Sequence, residues 1–389
     1  MSLGIYIQAP FCQTKCTYCN FHTGPASRSL YSPYAAAVVR EITERDALYR
    51  AAGLSAGVGV DGAGAVDTIY LGGGTPSLLD PADLARIVDA VRHGFPHALQ
   101  EVTLEADPET ITPAKAEAWL AAGINRISLG VQSFHDVELT AAGRMHRRRD
   151  IFSAFGHLRA AGFANISMDL IAGLPHQTAP SWRESLGELL QLRPEHVSVY
   201  LLEVDEGSRL GREILAGGGR YGAASVPDED AMAASYERAC ERLGAAGYEH
   251  YEISNWALPG LRSRHNSKYW RRDPYLGFGA GAHSFDGRQR WANAHDPAQY
   301  VAALEKGVLP IEQREDIGGA QALDEEMFLG LRQLEGVNIE EIERQYGIPL
   351  GPRLEPLLAR GWLERDGSRL RLSPSSLTVS NEVFVALLD

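Results

Sequence analysis

Cys12-Gln13-Thr14-Lys15-Cys16-Thr17-Tyr18-Cys19 holds three of the chain's four cysteines within eight residues, and it follows the strand-like run Ile5-Tyr6-Ile7. Three thiolates in a C-x3-C-x2-C pattern can wrap one inorganic cluster without completing a four-cysteine set, which leaves one iron open to a ligand from outside the protein. A disulfide framework fits poorly, because three clustered cysteines leave one unpaired and no secretory signal is expected. Structural zinc is the serious rival, since His22 can complete a Cys3His set. Zinc sites usually spread their ligand pairs across an intervening element, whereas these four would share one short loop.

Outward from this loop the pattern is periodic. Strand candidates are 4–8, 67–71, 101–105, 126–131, 165–171 and 196–202, with helix candidates near 32–52, 80–93, 112–122, 148–161 and 179–192. Strand and helix repeated six times predict a parallel sheet with right-handed crossovers. Six units make an open or partial barrel the expectation, not a closed eight-fold one. Thr112-Pro113 marks one helix start, with Pro at a tolerated first-turn position. The stretch 52–66 and the stretch 204–228, with Gly217-Gly218-Gly219, read as surface loops. A helix near 229–246 places Cys240 among Tyr236 and Leu243, a spacing for core packing and not for a fourth cluster ligand.

The chain has 389 residues, 44% hydrophobic and 22% charged, ordinary for a soluble protein with a sizeable core. Lys plus Arg number 37 against 50 Asp plus Glu, a net −13 that disfavours general nucleic-acid or anionic-membrane binding. One basic run, Arg144, His146, Arg147, Arg148 and Arg149, remains as a local exception. No stretch of about 18 apolar residues is present to span a bilayer. The first strand begins so early that no signal peptide is expected, which with sparse free cysteines predicts the cytoplasm.

Domains are expected at 1–203 (barrel), 204–310 (accessory α+β region) and 311–389 (small C-terminal module). In the last, helices 323–334, 339–346 and 352–360 precede a hairpin at Asp366-Gly367, with Asn338 and Glu341 forming a capping box and Gly347 as a stop. Three helices and a hairpin are winged-helix-like, a fold usually associated with DNA. Acidic residues outnumber basic ones 15 to 8 from position 311 onward, so a packing or interaction module is favoured.

The chemistry-bearing residues all follow strand ends, where parallel α/β folds place their sites. Gly72-Gly73-Gly74-Thr75-Pro76 lets backbone groups approach a ligand closely. Glu105 can bond a ribose or an ammonium group, Gln132 ends near the cleft, and Arg144 can pair with a ligand carboxylate. Asp169, inside an apolar strand, needs a partner, because an unpaired buried carboxylate is costly.

Taken together, Ala9-Pro10-Phe11-Cys12 with the triad, Gly72 to Pro76, Glu105, Gln132, Arg144 and Asp169 resemble the radical SAM proteins related to oxygen-independent coproporphyrinogen III oxidase. The resemblance covers essentially the whole chain. It implies a partial (β/α)6 radical SAM barrel in which Cys12, Cys16 and Cys19 bind a 4Fe–4S cluster. Tyr6, Tyr18, Gly73, Gly74, Thr75, Glu105, Gln132, Arg144 and Asp169 would hold S-adenosylmethionine. In that family an electron from the cluster generates a 5′-deoxyadenosyl radical, and the protein orients and shields it. Two departures matter. The oxidase keeps a further cysteine two residues past the triad, where Phe21 stands here, and Gln8 replaces the histidine usual before the triad.

The second half resembles the heme-chaperone branch of the family, through Tyr251-Glu252-Ile253-Ser254-Asn255-Trp256, His265-Asn266-Ser267-Lys268-Tyr269-Trp270 and Gly277 to Ser284. That resemblance implies heme binding by His265, Asn266, Tyr269 and Trp270, with the imidazole on iron and the aromatic pair over the macrocycle. His283 is a second candidate. Outside the resemblance, a histidine near two aromatics is ordinary packing. The implied partners are heme, recipient hemoproteins such as those of the respiratory chain, and an electron donor. The rivals are a porphyrin-biosynthesis enzyme, the coproporphyrinogen III oxidase (dehydrogenase) itself, a radical SAM methyltransferase or cyclopropanase, and a zinc-binding interaction protein. Whether the chain is an enzyme is open at this point, and Phe21 disfavours the oxidase.

Overall fold

β1 (Leu3–Ala9) buries Leu3, Ile5, Ile7 and Ala9, while Tyr6 and Gln8 between them are half-buried. The computed structural model describes residues 2–54 and 64–388. β2 (Val66–Gly73), β3 (His97–Ala106), β4 (Arg126–Gln132), β5 (Ile166–Ala172) and β6 (His196–Leu201) are buried along much of their length, with apolar and polar side chains on opposite faces. Successive strand side chains point to opposite faces. Ile69, Leu71, Val102, Leu104, Ile127, Leu129, Met168 and Val197 therefore join one core with helices Tyr31–Thr43, Pro81–Gly94, Pro113–Ala121, Arg148–Ala161 and Ala179–Leu192. The other face carries polar groups, aligned by the registers Tyr6↔Tyr70, Glu105↔Ser128 and Asp169↔Ser198. Three of the helices open on capping side chains, Asp80, Thr112 and Thr178, each followed by a proline in the first turn.

β1 to β6 are parallel neighbours in chain order, as the strand–helix alternation predicts, and they do not close on one another. Later strands extend both edges. β7 (Glu249–Glu252) and β8 (Asn255–Ala257) add beyond β6. β9 (Tyr275–Phe278) pairs parallel with β1, and β10 (His283–Phe285), β11 (Gln289–Asn293) and β12 (Ile311–Asp316) follow it. The region 204–310 thus shares the barrel's sheet, and β12, expected at the start of the C-terminal module, pairs with β11.

Two local expectations are corrected. The helix expected over 32–52 breaks at Glu44 into Tyr31–Thr43 and Arg45–Ala51. The stretch 204–228 is not all loop: Ser208 caps a helix, Arg209–Leu215, whose Leu210 is buried in a satellite core with Ile171, Leu174 and Leu202. A last helix, Ser380–Leu388, was not anticipated. Of the loop expected at 52–66, residues 55–63 lie outside the described residues. The C-terminal module follows its sequence signals: Asn338 accepts from the Glu341 amide, Gly347 stops that helix at φ 68°, and Leu363–Asp366 pairs with Arg369–Leu372.

Helix Tyr31–Thr43 is tied to the β9 edge by one buried carboxylate. Glu41 accepts from the Gly279 amide (2.9 Å), the Asn293 amide (2.8 Å) and the Tyr300 hydroxyl (2.6 Å). Burial pushes its pKa up to about 7, against those three hydrogen bonds. Between the ordinary carboxylate range and about 7 the folded state therefore holds a proton that the unfolded state has lost, so stability falls as pH rises through that window. On going from pH 4.5 to 8 the wild type is expected to lose about 3 kcal/mol more than Glu41→Gln. Denaturant unfolding of both proteins across that range checks this, and equal pH dependence would contradict it.

Candidate functional site

The cysteine loop is stitched to the strand ends on two sides. Phe11 bridges to Gly24, the Cys12 amide donates to the Gly24 carbonyl (3.0 Å), and the Gly24 amide donates to Pro10 (3.0 Å). Across the barrel mouth the Thr17 amide donates to the Ala142 carbonyl (3.0 Å) and its hydroxyl to Ala141 (2.9 Å). Cys12, Cys16 and Cys19 are free and partly buried. Burial raises the Cys12 thiol to about 11, so its thiolate form needs a compensating cation or metal. Among the described residues no three Cys, His, Asp or Glu side chains converge on a single ion. The His22 ring packs tilted against that of His295, with ring centroids 4.3 Å apart. A Cys3His zinc site draws its ligands within about 2.3 Å of one ion, whereas a multi-iron cluster spreads its thiolates farther apart, which suits this donor set.

The glycine turn after β2 approaches that loop closely. A Cβ on Gly74 would lie 2.5 Å from the Phe11 carbonyl oxygen and 3.0 Å from Cys12 Sγ, so only glycine fits. Gly73 adopts φ 109°, and its amide donates to Glu105 Oε2 (3.0 Å). Tyr70 donates to Glu105 Oε1 (2.8 Å). Burial lifts Glu105 to about 7, with the Asp169 and Asp107 charges acting in the same direction and the two hydrogen bonds against it. Asp169 is likewise raised by burial, while Ser198, Arg126, Ser128 and Ser167 hold it down; these are the partners its strand position demanded. Tyr6 donates to Gln8 Oε1 (2.7 Å) and stacks on Tyr70. Tyr18 packs beside the satellite core.

Arg144 is brought to the same mouth. Its guanidinium pairs with Asp107, donates to the Gly130 carbonyl (2.8 Å) and reaches Cys16 Sγ (3.4 Å). Thr75 donates to the other Asp107 oxygen (3.1 Å). Asp107 is the organising residue that sequence reading passed over. Its signal was present, because Glu105 and Asp107 are two apart, on one face of the strand end. Cys16, Asp107, Glu109, Gly143 and Arg144 line a narrow cleft. Beside it Gln132, at φ 65°, has a buried Oε1 without a partner among the described residues, as does Arg144 Nε. A buried acceptor and a buried donor left open suit a ligand carrying both an amino group and a carboxylate.

His265 lies elsewhere. Helix Arg264–Trp270 caps the opposite end of the strands: the Arg264 and His265 amides donate to Glu101, and Lys268 pairs with Asp67. β1 alone separates the two ends by about 20 Å. His265 is 1% exposed, its Nδ1 hydrogen-bonded to Thr68 Oγ1 (2.9 Å) and its Nε2 to the Tyr269 hydroxyl (3.0 Å). Burial, then the Lys268 and Arg126 charges, lowers its pKa to about 3. Trp270 is covered by the Arg332 guanidinium, 4.6 Å from the ring centroid. The residues expected to clasp heme, His265, Asn266, Tyr269 and Trp270, lie at this barrel floor, where both imidazole nitrogens of His265 find partners inside the fold.

The fold and the cysteine-bearing strand-end site define the class. A model described as the radical SAM superfamily matches residues 6–189, and one described as the HemN C-terminal domain matches 319–377. The chain is similar to Heme chaperone HemW of Bacillus subtilis, at 32% identity over 98% of each protein, and to that of Mycobacterium tuberculosis, at 35% over 99% of this chain and 94% of the relative. It also resembles the mouse mitochondrial radical S-adenosyl methionine domain-containing protein 1, at 32% identity over 99% of this chain and 87% of that protein. The chain belongs to the HemW family of radical SAM proteins. Its fold matches the solved coproporphyrinogen III oxidase HemN of Escherichia coli with a TM-score of 0.80, 22% identity, and coverage of 99% of this chain and 90% of that one.

Proposed function

We propose that this protein is a heme chaperone, which binds heme and hands it to recipient hemoproteins. The observation that carries the reading is full-length similarity at over 30% identity to proteins named for that role. Phe21, where the oxidase keeps a cysteine, favours the same reading over porphyrinogen oxidation. In this reading Cys12, Cys16 and Cys19 hold a 4Fe–4S cluster. Tyr6, Tyr18, Gly73, Gly74, Thr75, Glu105, Gln132, Arg144 and Asp169 surround S-adenosylmethionine. Cluster and S-adenosylmethionine together supply one-electron chemistry when bound. Arg144, held by Asp107, offers its charge to a carboxylate, Gln132 its free acceptor to an amino group, and the Gly73–Gly74 turn its backbone. The protein is proposed to work in the cytoplasm with an electron donor and with hemoproteins of the respiratory chain; no helix of the described residues is long and apolar enough to cross a membrane.

Anaerobic reconstitution followed by heme titration and coproporphyrinogen assay on one sample tests this. Stoichiometric heme binding, transfer to an apo-hemoprotein and no porphyrinogen conversion are expected; robust conversion would sink the proposal. In the same preparations, single Cys12→Ala, Cys16→Ala and Cys19→Ala variants are expected to lose nearly all bound iron and sulfide, read by colorimetric analysis.

A further inference from the structure

Two imidazoles meet at the cysteine end of the barrel, on the side of β1 and β9, with a third, His283, near the second of them. His22 lies three residues past Cys19, His295 follows β11, and His283 opens β10. The His22 and His295 rings lie 4.3 Å apart at 34°. Gly281, at φ 72°, keeps the wall open, since a Cβ there would sit 2.8 Å from His295 Nδ1. His22 and His283 are exposed, and among the described residues none of the three rings is held by a hydrogen bond. His22 is preceded by Phe21, the most exposed large aromatic in the described chain at 66%. The Lys15 ammonium sits on the Phe21 carbonyl (2.9 Å). Unpaired imidazole nitrogens, a bare aromatic face and a cation beside it form the complement of a flat iron macrocycle with anionic edges.

We propose that heme docks at this mouth, with its axial imidazole from the His22–His295 pair, Phe21 against the macrocycle and Lys15 at a propionate. The inference rests on the heme-chaperone reading and deepens it. His265 cannot present a nitrogen without breaking its bond to Thr68 or Tyr269. Neither His22 nor His295 has such a bond to break among the described residues, and His22 is exposed. Phe21, placed where the oxidase keeps a cysteine, then has a role of its own on the same loop as the cluster cysteines.

The test is ferric heme titration of the full chain, read by the Soret band and the dissociation constant. The double variant His22→Ala/His295→Ala is expected to weaken heme roughly tenfold or more, the scale on which partners of a metal site act, and to lose the imidazole-ligated band. Phe21→Ser is expected to weaken binding while keeping that band, and His93→Ala, an exposed imidazole elsewhere, to change neither. Iron content and unfolding midpoint of the variants verify the fold. Wild-type binding with an unchanged band and affinity in the double variant overturns this docking site alone. A wild type that binds no heme overturns the chaperone reading, and this inference with it.

Discussion

Asp107→Ala is expected to lower the unfolding free energy by about 3 kcal/mol, the lower end of what breaking a buried ion pair costs. The Arg144 side chain is only 8% exposed and that of Asp107 21%, so removing the carboxylate strands a guanidinium that water reaches poorly. The remaining oxygen acceptor, the Gly130 carbonyl, carries no formal charge. The loss extends beyond stability. Thr75 also donates to Asp107, so the glycine turn and the arginine lose their common anchor. Asp107→Asn keeps an acceptor and is expected to recover part of the stability. Urea unfolding of both variants, with S-adenosylmethionine affinity on the same samples, checks this; a loss under about 1 kcal/mol, the surface-pair scale, would contradict the burial argument.

Gly74→Ala is expected to cost about 1–3 kcal/mol, the usual range for overpacking, and to remove most of the bound iron. The added Cβ would meet the Phe11 carbonyl at 2.5 Å, the Ala9 carbonyl at 3.0 Å and Cys12 Sγ at 3.0 Å. Two of these neighbours are backbone and cannot rotate away. Relief therefore requires moving the turn or the Cys12 segment, which disturbs the cysteine spacing. Gly156, in helix Arg148–Ala161, is the control: a Cβ there meets nothing within 4 Å. Gly156→Ala is expected to be neutral or to stabilise by up to about 1 kcal/mol. Iron analysis and thermal unfolding separate the two outcomes.

The two substitutions mark how far local sequence carries. Gly74 was legible because a glycine run after a strand has a short-range meaning, and the start of the triad three residues past Ala9 is local too. Asp107 was visible in its two-residue spacing from Glu105, yet its partner Arg144 is 37 positions away, and the pairing needs β3 and β4 to lie side by side. The loop at 204–228 was misjudged because its glycine run masks Ser208, whose cap and buried Leu210 make a helix.

The sequence by itself determined the cysteine loop, the six strand–helix units and the strand-end placement of most candidate residues. Each rests on a period of two or three to four residues, or on spacing within one turn. Tertiary structure alone decided that β9 returns to pair with β1, that His265 is sealed in the floor by Thr68, and that His22 meets His295. Those contacts join residues roughly 200 or more positions apart. No local period encodes them; they follow from which edge of the sheet the later strands complete, and from where burial leaves a ring nitrogen a partner.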